Sequence, residues 1–258
     1  MKKQFKISRP FIFSVISGKG GVGKSMISVN TAHLLQERGY RVTIIDADLG
    51  LSNCATLMNE TVNTSIHQWI EGDCSLEDLP HNNGQITLIT GADHPGYQHI
   101  HKEIFMDALD QVVSYLTTDH DIIIIDTPAG AGEMALWALD QADLGIIVLV
   151  DEPTAISDAY RFCKYIYSID PYYPFAGIVN FARSSESADN TIERFNTILD
   201  YFLQQKISYL GHIPSSDIIR ESLRQQNIIP NCCAEHQIVE KFQRIADKLI
   251  RCCQKPQP

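Results

Sequence analysis

A glycine-rich loop between an apolar run and a helical pattern restricts the fold more than any other feature of this sequence. The segment from Gly18 to Ser25 reads G-x-x-x-x-G-K-S, follows an apolar run and opens a helical stretch. In this setting glycines let successive backbone N–H groups converge on phosphate oxygens, and the helix N-terminus adds positive potential. The segment therefore predicts a phosphate-binding loop within an α/β fold.

The rest of the chain alternates between strand-like and helix-like patterns. Strands are predicted over 11–17, 42–46, 85–90, 121–126, 144–151, 175–181 and 209–213. Helices are predicted over 24–37, 103–116, 154–169 and 186–203, from 217, and over about 235–253. Several of the strands are apolar without alternation, as a sheet covered on both faces requires. The sequence thus predicts one α/β domain over residues 1–258, a mostly parallel, doubly wound P-loop NTPase sheet with helices on both faces.

Composition argues against several classes of protein. The formal net charge of −10 argues against a nucleic-acid partner, because phosphate-neutralising surfaces need clustered lysine and arginine. The apolar runs are too short to span a bilayer, and no small-residue cleavage site follows the first residues. We therefore expect a cytoplasmic protein with its seven cysteines reduced. There is no C-x-x-C pair for a metal, and His94, His99 and His101 are expected in a solvated loop.

The residues that end the glycine-rich loop have the chemistry that nucleotide phosphates require. Lys24 is predicted to reach the β- and γ-phosphates, and the Ser25 hydroxyl is predicted to ligate Mg²⁺. The predicted nucleotide-contacting residues of the loop and first helical turn are Gly18, Lys19, Gly20, Gly21, Val22, Gly23, Lys24, Ser25 and Met26.

Three aspartates follow predicted strands at their carboxyl ends. Asp46 and Asp48 lie in IIDADLGLSN, and Asp126 lies in DIIIIDTPAG. In open α/β sheets ligands bind at this edge, and a carboxylate there can hold Mg²⁺ directly or through water. Each aspartate alone could also be a helix N-cap or a turn residue. Together with the loop they predict a magnesium site formed by Ser25, Asp48 and Asp126.

A second lysine inside the loop, in G-K-G-G-V-G-K-S, resembles the deviant Walker A motif of the MinD/ParA family of P-loop ATPases. The resemblance implies slow, switch-type ATP hydrolysis and an ATP-dependent homodimer in which Lys19 reaches the phosphates of the partner subunit. It assigns catalytic roles to Lys19, Lys24 and Asp48, with Asp48 orienting or deprotonating the attacking water. Asp126 would sense the γ-phosphate and Mg²⁺, and the role of Asn53 is left open.

The resemblance also indicates the base. The chain has Asn180 in GIVNFARS without the following aspartate of guanine-specific N-K-x-D motifs. Asn180 resembles the adenine-contacting asparagine of the family, and Pro214 in GHIPSSD resembles the residue that packs near the ring. ATP is therefore expected rather than GTP.

Within the family, DADLGLSN and DEPTAISDAY resemble the FlhG (FleN) group of flagellar regulators. This likeness implies control of flagellar number or placement, with an FlhF-type GTPase or a transcription regulator as partner. The alternatives are a MinD-type regulator of the division site and a ParA-type partitioning ATPase. The segment from Asp151 is equally compatible with a plain helix start capped by Thr154.

The C-terminal pattern predicts an amphipathic helix over about 235–253. Ile238, Phe242, Ile245 and Leu249 share one face, and the opposite face is only weakly basic. Two interpretations are open: the helix packs on the sheet, or it makes weak peripheral contact with the inner face of the membrane.

Overall fold

The computed structural model describes residues 9–48, 53–84, 86–92, 101–117, 119–130, 132–233 and 236–254, without the side chain of Asn83. His94 and His99, which were predicted to lie in a loop, are outside the described residues, and so is Glu235 near the predicted start of the last helix. His101 is described and is the residue just before a helix.

The described chain contains one eight-stranded sheet with the strand order β3-β4-β2-β5-β1-β6-β7-β8. The strands are β1 (Phe11–Ile16), β2 (Val42–Asp46), β3 (His81–Asn83), β4 (Ile86–Thr90), β5 (Ile122–Asp126), β6 (Leu144–Leu149), β7 (Phe175–Ala182) and β8 (Ser208–Pro214). All neighbouring pairs are parallel except β3 with β4. The predicted mostly parallel sheet is confirmed.

Helices connect the strands. They are α1 (Lys24–Glu37), α2 (Asn53–Met58), α3 (Ile66–Glu71), α4 (Lys102–Leu116), α5 (Glu133–Gln141), α6 (Pro153–Ile169), α7 (Ser185–Leu203), α8 (Asp217–Arg224), α9 (Ile229–Cys232) and α10 (Gln237–Cys253), with a 3₁₀ turn at Leu76–Asp78. Sequence patterns predicted the long helices to within a residue or two but missed α2, α3, α5, α9 and β3. The suggested cap at Thr154 is wrong, because Pro153 fits the first helical position and makes Glu152 the N-cap of α6.

Both faces of the sheet are buried, which explains the continuous apolar strands. Along β5, Ile122 and Ile124 belong to the core cluster shared with α1 and α10, whereas Ile123 and Ile125 pack with α4 and α5. A third cluster lies under α6 and α7. Because side chains alternate along a strand, this division places helical layers on opposite faces, as a doubly wound fold requires.

Helix α1 is held at both of its ends. Its first residue, Lys24, ends the glycine-rich loop, and Arg38 just past its last residue donates from Nε to Asp247 Oδ1 of α10 over 2.9 Å. In the middle, Asn30 Oδ1 accepts from the backbone N–H of Ile229 over 2.8 Å. These contacts fix α1 relative to both α9 and α10.

The apolar face of α10 is covered in this structure. Its buried residues are Ile238, Val239, Phe242, Ile245, Ala246 and Leu249, and they join the core cluster with α1 and β8. The helix begins at Gln237, with His236 Nδ1 accepting from the N–H of Ile238. Packing on the sheet is thus the arrangement observed. Among the residues described, no helix combines the length and apolarity needed to cross a membrane.

Candidate active site

The glycine-rich loop runs from β1 into α1 and leaves the first turn of the helix without a side-chain cap. Its N-cap, Gly23, has φ +92°, and a Cβ there would lie 2.3 Å from Asn180 Nδ2. A Cβ on Gly18 would lie 2.5 Å from the Cβ of Asp158 on α6. Glycine is therefore required at both positions, and the N–H groups of the first turn are available to an anion.

Lys24 is held inside this loop with only 7% of its surface exposed. Its Nζ donates to Ser17 Oγ over 3.1 Å, and Ser17 Oγ donates to the carbonyl of Lys19 over 2.7 Å. Burial lowers the pKa of Lys24, and the charges of Asp126 and Asp48 oppose that shift. The buried ammonium is thus oriented by a hydroxyl before any phosphate arrives.

Asp126 is a buried carboxylate at the end of β5. Its Oδ2 accepts from Ser25 Oγ over 2.5 Å, and its Oδ1 accepts from Ser28 Oγ over 2.9 Å. Burial raises the pKa of Asp126, while the hydrogen bonds from Ser25 and Ser28 and the charge of Lys24 lower it. Two helix hydroxyls therefore set the direction in which this carboxylate points.

Asp46 lies next to Asp126, and its carboxylate orders the backbone that follows β2. Oδ1 accepts from the N–H of Asp48 over 3.3 Å, and Oδ2 accepts from the N–H of Cys54 over 3.1 Å. Ligand atoms of Asp46, Cys54 and Asp126 all lie within 4.8 Å of one another. Asp48 is not in this group, although its charge acts on Lys24.

These residues fit Mg²⁺, a hard cation that prefers oxygen ligands. Ser25 Oγ and Asp126 Oδ2 are in direct contact through a hydrogen bond, so a Mg²⁺ ion at this point could bind both oxygen atoms in place of that bond. Cys54 is buried beside them, and burial raises the pKa of its thiol well above the usual value.

Lys19, the other lysine of the loop, is on the surface. Its Nζ lies 2.5 Å from Glu152 Oε2, and the two side chains are 46% and 53% exposed. Glu152 is the N-cap of α6 and was not among the residues that the sequence predicted for the site. The two lysines therefore have different partners: a hydroxyl in the interior and a carboxylate at the surface.

Asn180 at the carboxyl edge of β7 is fully buried. Its Nδ2 donates to the carbonyl of Val22 over 2.7 Å, and its Oδ1 has no partner among the described residues. A buried, unsatisfied acceptor fits an amino group such as that of adenine and disfavours the carbonyl of guanine. Phe181 follows with φ 54° and 45% exposure, in a bulge where Ala182 pairs with Pro214.

The comparisons with known proteins identify the family. A family model described as ParA, NUBPL iron-transfer P-loop NTPase, matches residues 10–250. The chain belongs to the ParA/MinD family of P-loop NTPases. The antiactivator FleN of Pseudomonas aeruginosa is 31% identical over 252 residues, covering 96% of this chain and 89% of that protein. The flagellum site-determining protein YlxH of Helicobacter pylori is 29% identical and covers 92% and 81%.

A solved structure has the same fold. The septum site-determining protein MinD of Pyrococcus horikoshii, complexed with Mg-ADP, superposes with a TM-score of 0.76 at 24% identity, covering 93% of this chain and 96% of that one. As a ParA/MinD protein the chain is an ATPase that uses ATP and Mg²⁺, which confirms the predicted activity. The superposition confirms the predicted fold.

The structure gathers most of the predicted residues at one edge of the sheet, with some differences in detail. The side chain of Met26 is buried in the core, so only its backbone can contribute to an anion site. Ser28, Glu152 and Phe181 were missed. Ser28 could have been found from its spacing, since it lies three residues after Ser25 on the same helix face. Glu152 could not, because nothing in the local sequence links it to Lys19.

Proposed function

We propose that this chain is an ATP-dependent, dimerising switch that controls the number or placement of flagella. The flagellar part of the proposal is supported by the names of two relatives, an antiactivator (FleN) and a flagellum site-determining protein (YlxH), which align with nearly all of this chain. The switch itself is supported by the contacts of the two loop lysines.

The contrast between Lys24 and Lys19 carries the proposal. Lys24 is buried at Ser17 and serves the phosphates of its own subunit. Lys19 lies in the same loop with its ammonium at the surface, where it could reach the phosphates of a second copy. Charge that develops on a leaving phosphate is stabilised by a cation placed in advance, so a lysine supplied by a partner would couple hydrolysis to dimerisation.

Each residue of the site would have a separate task. Lys24 and the N–H groups of α1 bind the phosphates, and Ser25 with Asp126 would hold Mg²⁺, which supplies positive charge against the phosphate oxygens when bound. Asp48 would orient the attacking water or take its proton. Asn180 would select adenine through Oδ1, with Pro214 packing near the ring.

The partners follow from the flagellar assignment. An FlhF-type GTPase or a transcription regulator would bind the ATP dimer near the start of α6. Weak membrane contact through α10 would require exposure of its apolar face, which is covered in the subunit described here. A peripheral position at the inner face of the membrane is therefore proposed only for the dimer.

Light scattering with ATP and Mg²⁺, with ADP, and without nucleotide tests the switch. The wild-type mass should double with ATP and Mg²⁺ and should stay that of a monomer with ADP or without nucleotide. Lys24→Ala should lose nucleotide binding, Lys19→Ala should bind ATP as a monomer, and Asp48→Ala should remain dimeric because it does not hydrolyse ATP. Lys206→Ala, an exposed lysine away from the loop, is the matched control. An unchanged mass in every nucleotide state would refute the switch.

A cellular test separates flagellar control from the alternatives. Deletion of the gene in its own host should change the number or position of flagella, and only hydrolysis-competent copies should restore them. Minicells with normal flagella would favour a MinD-type division role, and loss of a replicon with normal flagella would favour a ParA-type role.

A further inference from the structure

A cavity of about 410 Å³ lies at one edge of the sheet, and none of the residues assigned to the nucleotide lines it. Strand β8 ends the strand order, so one of its edges has no neighbouring strand among the described residues. The cavity is bounded by this strand, by the start of α7 and by one face of α10.

Four basic side chains of α10 line the cavity. They are Lys241, Arg244, Lys248 and Arg251, whose spacing of three, four and three residues places them on a single helix face. The opposite face of α10 is the buried apolar one. Packing of α10 on the sheet therefore places these four side chains along the open edge of β8.

Neutral polar groups complete the lining. His212 Nε2 lies 3.1 Å from Lys241 Nζ and 3.2 Å from Ser185 Oγ, and His212 Nδ1 lies 3.2 Å from Tyr209 Oη. Lys248 Nζ donates to the carbonyl of Tyr209 over 2.9 Å. Burial lowers the pKa of His212, and the charges of Lys241 and Arg244 lower it further, while the charge of Asp189 opposes them.

Positive charge exceeds negative charge in this cavity. Asp189 and Asp247 also line it, but Asp247 is bonded to Arg38, and Arg244 pairs with Glu240 at 3.6 Å. Within the described part of the chain, Lys241, Lys248 and Arg251 have no ion pair within 4.0 Å. In a chain with a net charge of −10, three cations without carboxylate partners around one cavity are unusual.

We propose that this cavity, the β8 edge site, binds a phosphate group, either free or on the headgroup of an anionic lipid. Lys241, Lys248 and Arg251 would contact its oxygens, and the Ser185 hydroxyl can donate to the same anion. The donors that converge on this cavity suit the oxygens of a phosphate group, and its volume has room for a group attached to that phosphate. The site is separate from the nucleotide loop, so the proposal does not depend on the flagellar function.

Nuclear magnetic resonance of the histidine side chains tests the site directly. The protein is first saturated with ADP and Mg²⁺, so that the glycine-rich loop is filled, and is then titrated with inorganic phosphate against chloride at equal ionic strength. His212→Gln identifies the His212 signals among the nine histidines. These signals should shift with phosphate and saturate. Lys241→Gln and Lys248→Gln should each weaken phosphate binding about tenfold, the scale of one charge-assisted hydrogen bond.

Lys164→Gln, an exposed lysine of α6, is the charge-matched control and should bind phosphate like the wild type. Flotation with vesicles of phosphatidylglycerol and phosphatidylcholine, against phosphatidylcholine alone, distinguishes the two sources. Flotation that Lys241→Gln removes indicates a lipid headgroup, and a His212 shift without flotation indicates a free phosphate or a small phosphate ester. Unmoved His212 signals, or equal affinity of the Lys241, Lys248 and Lys164 variants with unchanged melting temperatures, would overturn the proposal.

Discussion

Replacing Asn180 with alanine tests how this site recognises its base. The side chain is fully buried, donates from Nδ2 to the carbonyl of Val22 and leaves Oδ1 without a described partner. The substitution would remove the acceptor proposed for the adenine amino group and, at the same time, leave the buried Val22 carbonyl without its donor. Two separate effects are therefore expected.

The first effect is on stability. An unsatisfied buried carbonyl costs about 1–3 kcal/mol, so Asn180→Ala should lower the free energy of unfolding by roughly that amount. The second effect is on nucleotide binding. One neutral hydrogen bond contributes about 1 kcal/mol, and the loosened loop adds to the loss, so the Kd for ATP should rise about five- to thirtyfold. The Kd for GTP should change less, because guanine presents a carbonyl where adenine presents its amino group.

Titration calorimetry with ATP and GTP, paired with urea denaturation, measures both effects. Asn30→Ala is the matched control, since Asn30 is also buried and donates from Nδ2 to the carbonyl of Met26 over 2.7 Å. That variant should lose stability while keeping the preference for ATP over GTP. If Asn180→Ala kept the full preference of the wild type, the assignment of Oδ1 to adenine would be incorrect.

Three further substitutions probe other parts of the molecule. Glu152→Gln should change the free energy of unfolding by less than about 1 kcal/mol, because exposed ion pairs contribute little. It should also raise the fraction of dimer formed with ATP, since Lys19 is then free of its carboxylate partner. Light scattering measures that fraction, and a decrease would contradict the prediction. Gly23→Ala should weaken ATP binding more than about tenfold in calorimetry. The added Cβ would clash with Asn180 Nδ2, and the positive φ at this position is strained for alanine. Phe242→Ala should destabilise the protein by about 3–5 kcal/mol in urea denaturation, and a loss under about 1 kcal/mol would show that α10 is not part of the core.

Much of the fold could be predicted because its strongest signals are local. The bounds of α1 and β2 match the prediction in every residue. Gly23 lies before the helix and Gly39 lies shortly after it, and the strand is a short buried run. The missed elements are short. Helices α2 and α3 have six residues each, too few for a clear apolar period, and β3 is a polar three-residue strand whose pairing with β4 depends on tertiary contact.

The site was predictable where one motif carries the chemistry and unpredictable where two distant segments meet. Lys24, Ser25 and Asp126, which the structure brings together, could be placed at one edge of the sheet from their motifs alone. The ion pair of Lys19 with Glu152 joins residues 133 positions apart, and no periodicity reports such a contact. The β8 edge site depends in the same way on the packing of α10 beside a strand that precedes it in the chain.

The two anchored ends of α1 have a consequence for how the length of this helix can vary. A single residue added between Lys24 and Asn30 would rotate all that follows by about 100° and advance it by about 1.5 Å. The Asn30 amide would then face away from Ile229, and Arg38 would lose Asp247. Insertions and deletions within this helix should therefore destabilise the protein, even though its last turn reaches the surface.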